Sequence, residues 1–124
     1  MNYLKTDRAP EPIGPYSQAT EMNGFIFTSG QIAIDPSSGE IISSKIEDQT
    51  RQVIKNLQEV LLAGNSSLAK VVKTTIFLSD MNNFAKVNDI YREYFGSSKP
   101  ARSTVEVSRL PKNVLIEIDC IATK

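Results

Sequence analysis

Arg102 and Glu117 are the residues whose types and separation point to chemistry rather than architecture in this chain of 124 residues. Pro100-Ala101-Arg102-Ser103-Thr104-Val105-Glu106-Val107 reads as a strand. Side chains alternate along an extended backbone, so Ala101, Ser103, Val105 and Val107 share one face and Arg102, Thr104 and Glu106 the other. Leu110-Pro111-Lys112-Asn113 breaks the run, and Val114 to Ala122 reads as a second strand, apolar almost throughout except for Glu117 and Asp119. An arginine offers a planar fork that takes a carboxylate through two parallel hydrogen bonds. A partly buried glutamate of raised pKa can hold a water and handle its protons.

If Val107 and Val114 close the loop as a pair, an antiparallel register sets Thr104 opposite Glu117 and Arg102 opposite Asp119, with Glu117 diagonal to Arg102. Diagonal neighbours on one sheet face lie roughly 7–8 Å apart, which leaves room for a small anion and a water. The same register also fits a cross-strand salt bridge, and a shift of one residue would put the two groups on opposite faces. Backbone N–H groups near Gly30 and Thr104 are further candidates for an anion pocket, since Gly30 has no side chain to mask its amide.

The chain has no histidine, which removes the usual general base and the commonest metal ligand together. Ser–His and Cys–His nucleophile pairs are thereby excluded, and a single cysteine, Cys120, supplies neither an internal disulfide nor a tetrahedral zinc set, so no metal is expected. By alternation Cys120 faces away from Glu117 and reads as a small core residue. Catalysis would run on carboxylates, Arg, Lys, Tyr, hydroxyls and backbone dipoles. Fourteen basic residues balance fourteen acidic ones, so the chain lacks the global charge that draws proteins to nucleic acid. No apolar run approaches the ~20 residues of a membrane span, and Met1 to Asp7 has no signal-peptide core. A soluble, cytoplasmic protein without membrane partners is expected.

The scaffold follows from the pattern of the rest. Pro10, Pro12, Gly14 and Pro15 predict an extended arm over the surface. Asn23-Gly24, between Tyr16–Met22 and Phe25–Ser29, predicts a type I′ hairpin, and Gln31 to Ile34 continues extended to the turn at 35–39. Ser44-Lys45-Ile46-Glu47 fits a capping box for an amphipathic helix that buries Ile46, Val53, Ile54, Leu57, Val60 and Leu61 before Ala63-Gly64. Val71 to Leu78 predicts a strand, and Met81 to Phe95 a second helix with Gly96 as its C-cap. The order strand, strand, helix, strand, helix, strand, strand predicts one α+β domain over 1–124, a mixed sheet with two helices on one face. Apolar residues facing both ways on the last strand leave a second sheet face for a homo-oligomer whose sheets pack together.

Several segments in order, Ile13-Gly14-Pro15-Tyr16-Ser17-Gln18, Thr28-Ser29-Gly30-Gln31, Val72-Lys73-Thr74-Thr75, Phe84-Ala85-Lys86-Val87-Asn88, Pro100-Ala101-Arg102-Ser103 and Val114-Leu115-Ile116-Glu117-Ile118, resemble the signature segments of the RidA family, also called YjgF/YER057c/UK114. The resemblance implies a chorismate-mutase-like fold and a homotrimer whose sheets form a central barrel, with ligand sites in the clefts between subunits. It also implies a cofactor-independent deaminase that hydrolyses enamines and imines, such as 2-aminoacrylate, 2-iminopropanoate and 2-iminobutanoate, to 2-keto acids and ammonia. By motif, Arg102 matches the anchor of the substrate carboxylate and Glu117 the residue that orients water. Tyr16 and Ser29 match pocket-lining positions, Gly30 a backbone contact, and Asn88 a site position on the second helix. Thr104 stands where many relatives have cysteine; it serves equally if that position acts through its backbone N–H. Two other functions compete: a non-catalytic trimer that binds small carboxylates and, weakest given the charge balance and the missing histidine, an endoribonuclease or translation inhibitor.

Overall fold

The computed structural model describes residues 1–124 and is α+β, with one six-stranded sheet and two α-helices. The strands are β1 (Asn2–Leu4), β2 (Ala19–Met22), β3 (Phe25–Thr28), β4 (Val71–Leu78), β5 (Ala101–Glu106) and β6 (Ile116–Thr123). The helices are α1 (Ile46–Ala63) and α2 (Phe84–Phe95). Across the sheet the order is β1-β2-β3-β6-β4-β5. No helix is long and apolar enough to cross a membrane.

Local chemistry accounts for most of these elements. The β2–β3 hairpin closes on the pair Met22 and Phe25, and its turn residues take the positive φ that the type I′ geometry needs, 53° at Asn23 and 82° at Gly24. The apolar stripe of α1 places Val53, Ile54, Leu57 and Leu61 wholly out of solvent against the sheet. Its start differs from the expected capping box. Lys45 is the N-cap, with no side-chain cap bond. Ser43, one residue before the expected cap, organises the entry instead: its Oγ accepts from the Lys45 N–H at 3.0 Å and donates to Asp48 at 2.8 Å. The short strand β1 was not expected. Three residues carry too little alternation to read, and Asn2–Leu4 forms by pairing with the edge of β2.

The pairing of the last two strands overturns the expected hairpin. β4 lies between β5 and β6, parallel to β5 and antiparallel to β6. The reason is the β4–α2–β5 unit: a helical crossover returns the chain to lie parallel beside the strand it left. In the observed register Thr74 of β4 pairs with Arg102 on one side and Cys120 on the other, and Phe77 pairs with Val105 and Glu117. Thr74 and Cys120 face the helices and are buried, so Arg102 belongs to the helix side of the sheet and Glu117 to the open side.

The open side carries Tyr3, Met22, Phe25, Phe27 and Val105, all substantially exposed in the single chain. The apolar second face read from β6 is therefore present, and it extends across the sheet.

Candidate functional site

Glu117 owes its setting to backbone geometry. Gln31 and Ile118 exchange two backbone hydrogen bonds, N–H of Gln31 to the Ile118 carbonyl at 2.9 Å and N–H of Ile118 to the Gln31 carbonyl at 3.2 Å. This fastens Gly30 beside the Glu117 side chain. A Cβ placed on Gly30 would overlap the carboxylate, lying 2.7 Å from its Cδ. The glycine is thus the seat of the glutamate. Desolvation in this half-buried position pushes the Glu117 pKa up, and the like charge of Asp119, two residues along on the same face, pushes it the same way. Burial also raises Asp119 itself, against a Thr75 hydrogen bond and the Lys73 charge that lower it.

Beside the carboxylate lies a cavity of about 300 Å³, lined among others by Pro12, Ile13, Tyr16, Gly30, Lys112 and Glu117. Its outer wall is the proline-rich arm, which Gln18 ties to the sheet: the Gln18 Oε1 accepts from the Thr6 N–H at 2.7 Å, and its Nε2 donates to the Thr6 and Pro10 carbonyls at 3.0 and 2.9 Å. Ser29 joins this anchoring. Its Oγ donates to the Ser17 carbonyl at 2.6 Å, so its hydroxyl holds the arm and Ser29 is not among the cavity-lining residues.

Arg102 is set by side chains instead. Its Nη1 donates to Asn88 Oδ1 at 2.8 Å, and its Cζ lies 4.8 Å from the ring centre of Tyr91 and 5.5 Å from that of Phe84. The three partners all come from α2. Thr104 lies two residues further along the same face, with its Oγ1 buried and without a hydrogen-bond partner. Val107 donates its N–H to the Leu78 carbonyl of β4 at 2.8 Å, so by alternation the N–H groups of Arg102 and Thr104 point off the unpaired edge of the sheet. A groove of about 570 Å³ lined by Asn88, Tyr91, Lys99 and Arg102 opens there. Another groove of about 590 Å³ along α1, near Asp48, Arg51 and Tyr94, contains none of the candidate residues.

Within one chain, then, the candidates form two groups. Tyr16, Gly30 and Glu117 converge on one cavity, while Asn88, Arg102 and Thr104 gather on the other side of the sheet with β4 between. The diagonal Arg102–Glu117 pairing, as salt bridge or as site, does not occur in the chain. No group of three or more His, Cys, Asp or Glu side chains is placed to hold a metal ion. Cys120 is buried, and desolvation pushes its thiol up to about 12, which fits a core residue. The contributions of Gln18, Phe84 and Tyr91 were not foreseen. All three lie in apolar or turn contexts where a packing role is the simpler reading, although Tyr91 shares a helix face with Asn88, three residues before it.

The fold is thus a small α+β domain that sets a guanidinium on one side of its sheet and a carboxyl of raised pKa on the other. The profile of the family described as endoribonuclease L-PSP matches residues 6–124. A RutC family protein of Pyrococcus horikoshii is 60% identical over 119 residues, covering 96% of this chain and 94% of that protein. The human 2-iminobutanoate/2-iminopropanoate deaminase is 45% identical over 119 residues, covering 96% of this chain and 87% of the relative. Among solved structures, E. coli TdcF with bound serine superposes with a TM-score of 0.94 at 38% identity, covering 100% of this chain and 99% of that one. The chain belongs to the endoribonuclease L-PSP family, the RidA/YjgF family.

Proposed function

We propose that the protein is an enamine/imine deaminase that hydrolyses 2-imino acids, with 2-iminopropanoate and 2-iminobutanoate as the representative substrates, and that its site forms between copies in a homotrimer. The observation that carries this reading is the seating of Glu117 against Gly30, in a cavity that lacks Arg102, while Arg102 stands ready on the opposite side of the sheet. The exposed apolar face supports an assembly that would join the two halves. The human relative carries the deaminase name, and the E. coli relative was solved with serine, an amino acid with the same carboxylate.

In this reading the Arg102 fork and the Thr104 N–H of one copy hold the substrate carboxylate. Glu117 of the next copy, ionised at the start, holds a water and takes one of its protons as the oxygen bonds to the imine carbon. The C=N bond becomes a C–N single bond, and the nitrogen takes up the proton. The hydroxyl proton then passes to that nitrogen as the C–N bond breaks, so that ammonia leaves and the oxygen becomes the carbonyl of the 2-keto acid. An imine carbon is already electrophilic, so positioning and one proton relay are sufficient and no cofactor is invoked. Zero net charge and the absence of histidine weigh against the endoribonuclease reading that the family description carries.

The test couples a dehydratase that releases 2-aminoacrylate to detection of pyruvate. Wild type hastens pyruvate formation, and Arg102→Ala and Glu117→Gln each abolish the gain. Refolding the two variants together restores activity, because about a quarter of the sites in a random trimer then combine an intact arginine with an intact glutamate. Absence of any acceleration by wild type rejects the deaminase; absence of complementation rejects the shared site.

A further inference from the structure

Tyr91 occupies an apolar position of α2 and is 7% exposed, yet it carries a hydroxyl into the core. That hydroxyl lies 2.7 Å from Thr74 Oγ1, and Thr74 is fully buried in the middle of β4. A phenylalanine beside a valine would fill comparable space with no polar atoms to satisfy. A closed pair of buried hydroxyls adds something an apolar pair does not, a fixed direction for the ring. Phe95 packs against the same ring, with centroids 4.5 Å apart. The tyrosine is therefore held from two sides.

What is held in place is the platform for Arg102. The guanidinium carbon stands 4.8 Å from the Tyr91 ring centre, and Thr74, which anchors the phenol, is also the register partner of Arg102 across the sheet. Asn88, three residues earlier on the helix, takes Nη1 at 2.8 Å. A guanidinium carries five N–H donors in one plane, and stacking on a ring occupies its face and none of those donors. One edge is thus committed to Asn88 and the remaining donors are left for a ligand.

We propose that Tyr91 is a positioning residue for ligand capture: pinned by Thr74, its ring sets the plane of the Arg102 guanidinium, so that the donors not used by Asn88 meet a carboxylate in the fork geometry. The proposal rests on the reading above only in taking Arg102 as the carboxylate anchor. Burial pushes the Tyr91 phenol up, so the ring stays neutral.

The experiment measures binding of 2-oxobutanoate by calorimetry, alongside steady-state kinetics on the enamine, for wild type, Arg102→Ala, Tyr91→Phe and Tyr91→Leu. Loss of the ring in Tyr91→Leu should raise Kd and KM by about ten-fold and leave kcat within about three-fold, since the interaction serves binding of substrate and transition state alike. Tyr91→Phe keeps the ring but loses the Thr74 bond and should raise Kd by about three-fold, between wild type and Tyr91→Leu; a Kd equal to wild type would overturn the part played by Thr74. Should Tyr91→Leu fail to fold, Phe84→Leu removes the second, half-buried ring and should raise Kd by about three-fold; an unchanged Kd there overturns the stacking role. If Arg102→Ala loses binding while folded Tyr91→Leu binds like wild type, the role of Tyr91 is overturned and the anchor stands. If wild type and Arg102→Ala bind alike, the anchor itself is rejected, and the positioning role with it.

Discussion

Glu117 and Arg102 are prepared for work in opposite ways. The glutamate is placed by main chain: a strand bridge brings Gly30 alongside it, and the missing Cβ makes the space its carboxylate fills. The arginine is placed by side chains, with Asn88, Tyr91 and Phe84 arrayed along one helix. A backbone seat cannot relax, so any change in it should be costly. A side-chain cradle has several members, so losing one should be partly absorbed. The comparison predicts a steep hierarchy of mutational effects, and the largest belongs to a residue with no functional group.

Gly30→Ala is that case. The new methyl would overlap the Glu117 carboxylate, and with the backbone bonded across the Gln31–Ile118 bridge the flexible carboxylate is the part that moves. A displacement of about 1 Å in a catalytic group costs on the order of a hundred-fold in rate, so kcat should fall at least that far while 2-oxobutanoate binding, which depends on the arginine side, changes little. Equal loss from Gly30→Ala and Asn88→Ala in the coupled assay would break the contrast between rigid seat and adaptable cradle.

The same contrast explains what could be read from sequence. Strand β4 and both helices follow from side-chain periods, and Arg102 and Glu117 stand out as charges on strands that are otherwise apolar or uncharged at their neighbours. Neighbourhood across the sheet is a different kind of information. Nothing local to β5 or β6 says that β4 will come between them; that follows from the crossover through α2, and it moved Arg102 and Glu117 to opposite faces. The seat at Gly30 was legible only as a close approach, because its occupant comes from a strand nearly ninety residues away, a separation visible in the numbering. Tyr91 was hidden by its own regularity, since it fits the apolar period of α2 as well as any core residue.

A smaller effect concerns the charge beside the seat. Asp119 raises the Glu117 pKa through like-charge repulsion, second to desolvation. If ionised Glu117 accepts the proton from water, activity falls as pH drops through its folded-state pKa. Asp119→Asn removes the repulsion and should move the acidic limb of the kcat/KM profile to lower pH, with less than a ten-fold change on the plateau. The limb would stay in place if Glu117 were set by desolvation alone. Stability gives a second readout with a definite sign. A carboxyl whose folded pKa lies above its unfolded value favours the folded state when protonated, and that advantage is lost as pH rises through the folded pKa. Glu117→Gln should therefore raise Tm at pH 7 by an amount worth less than about 1 kcal/mol, since solvent screens a half-exposed group, with the gap closing toward pH 4.

The smallest effect is expected at Thr104, where this chain departs from the cysteine of many relatives. If the position acts by its outward N–H, the side chain is only packing, and its Oγ1 is already a buried hydroxyl without a partner. Thr104→Val keeps the shape and removes the unsatisfied group, so kcat/KM should remain within about two-fold of wild type, and thermal stability should be equal or higher, because an orphaned buried hydroxyl carries a desolvation cost of about 1–3 kcal/mol. Thr104→Cys should behave the same way in both measurements. A large loss of kcat/KM in the valine variant, recovered by cysteine, would mean that the side chain reaches the ligand after all, and the arginine half of the site would then be built from hydrogen-bonding side chains on both β5 and α2.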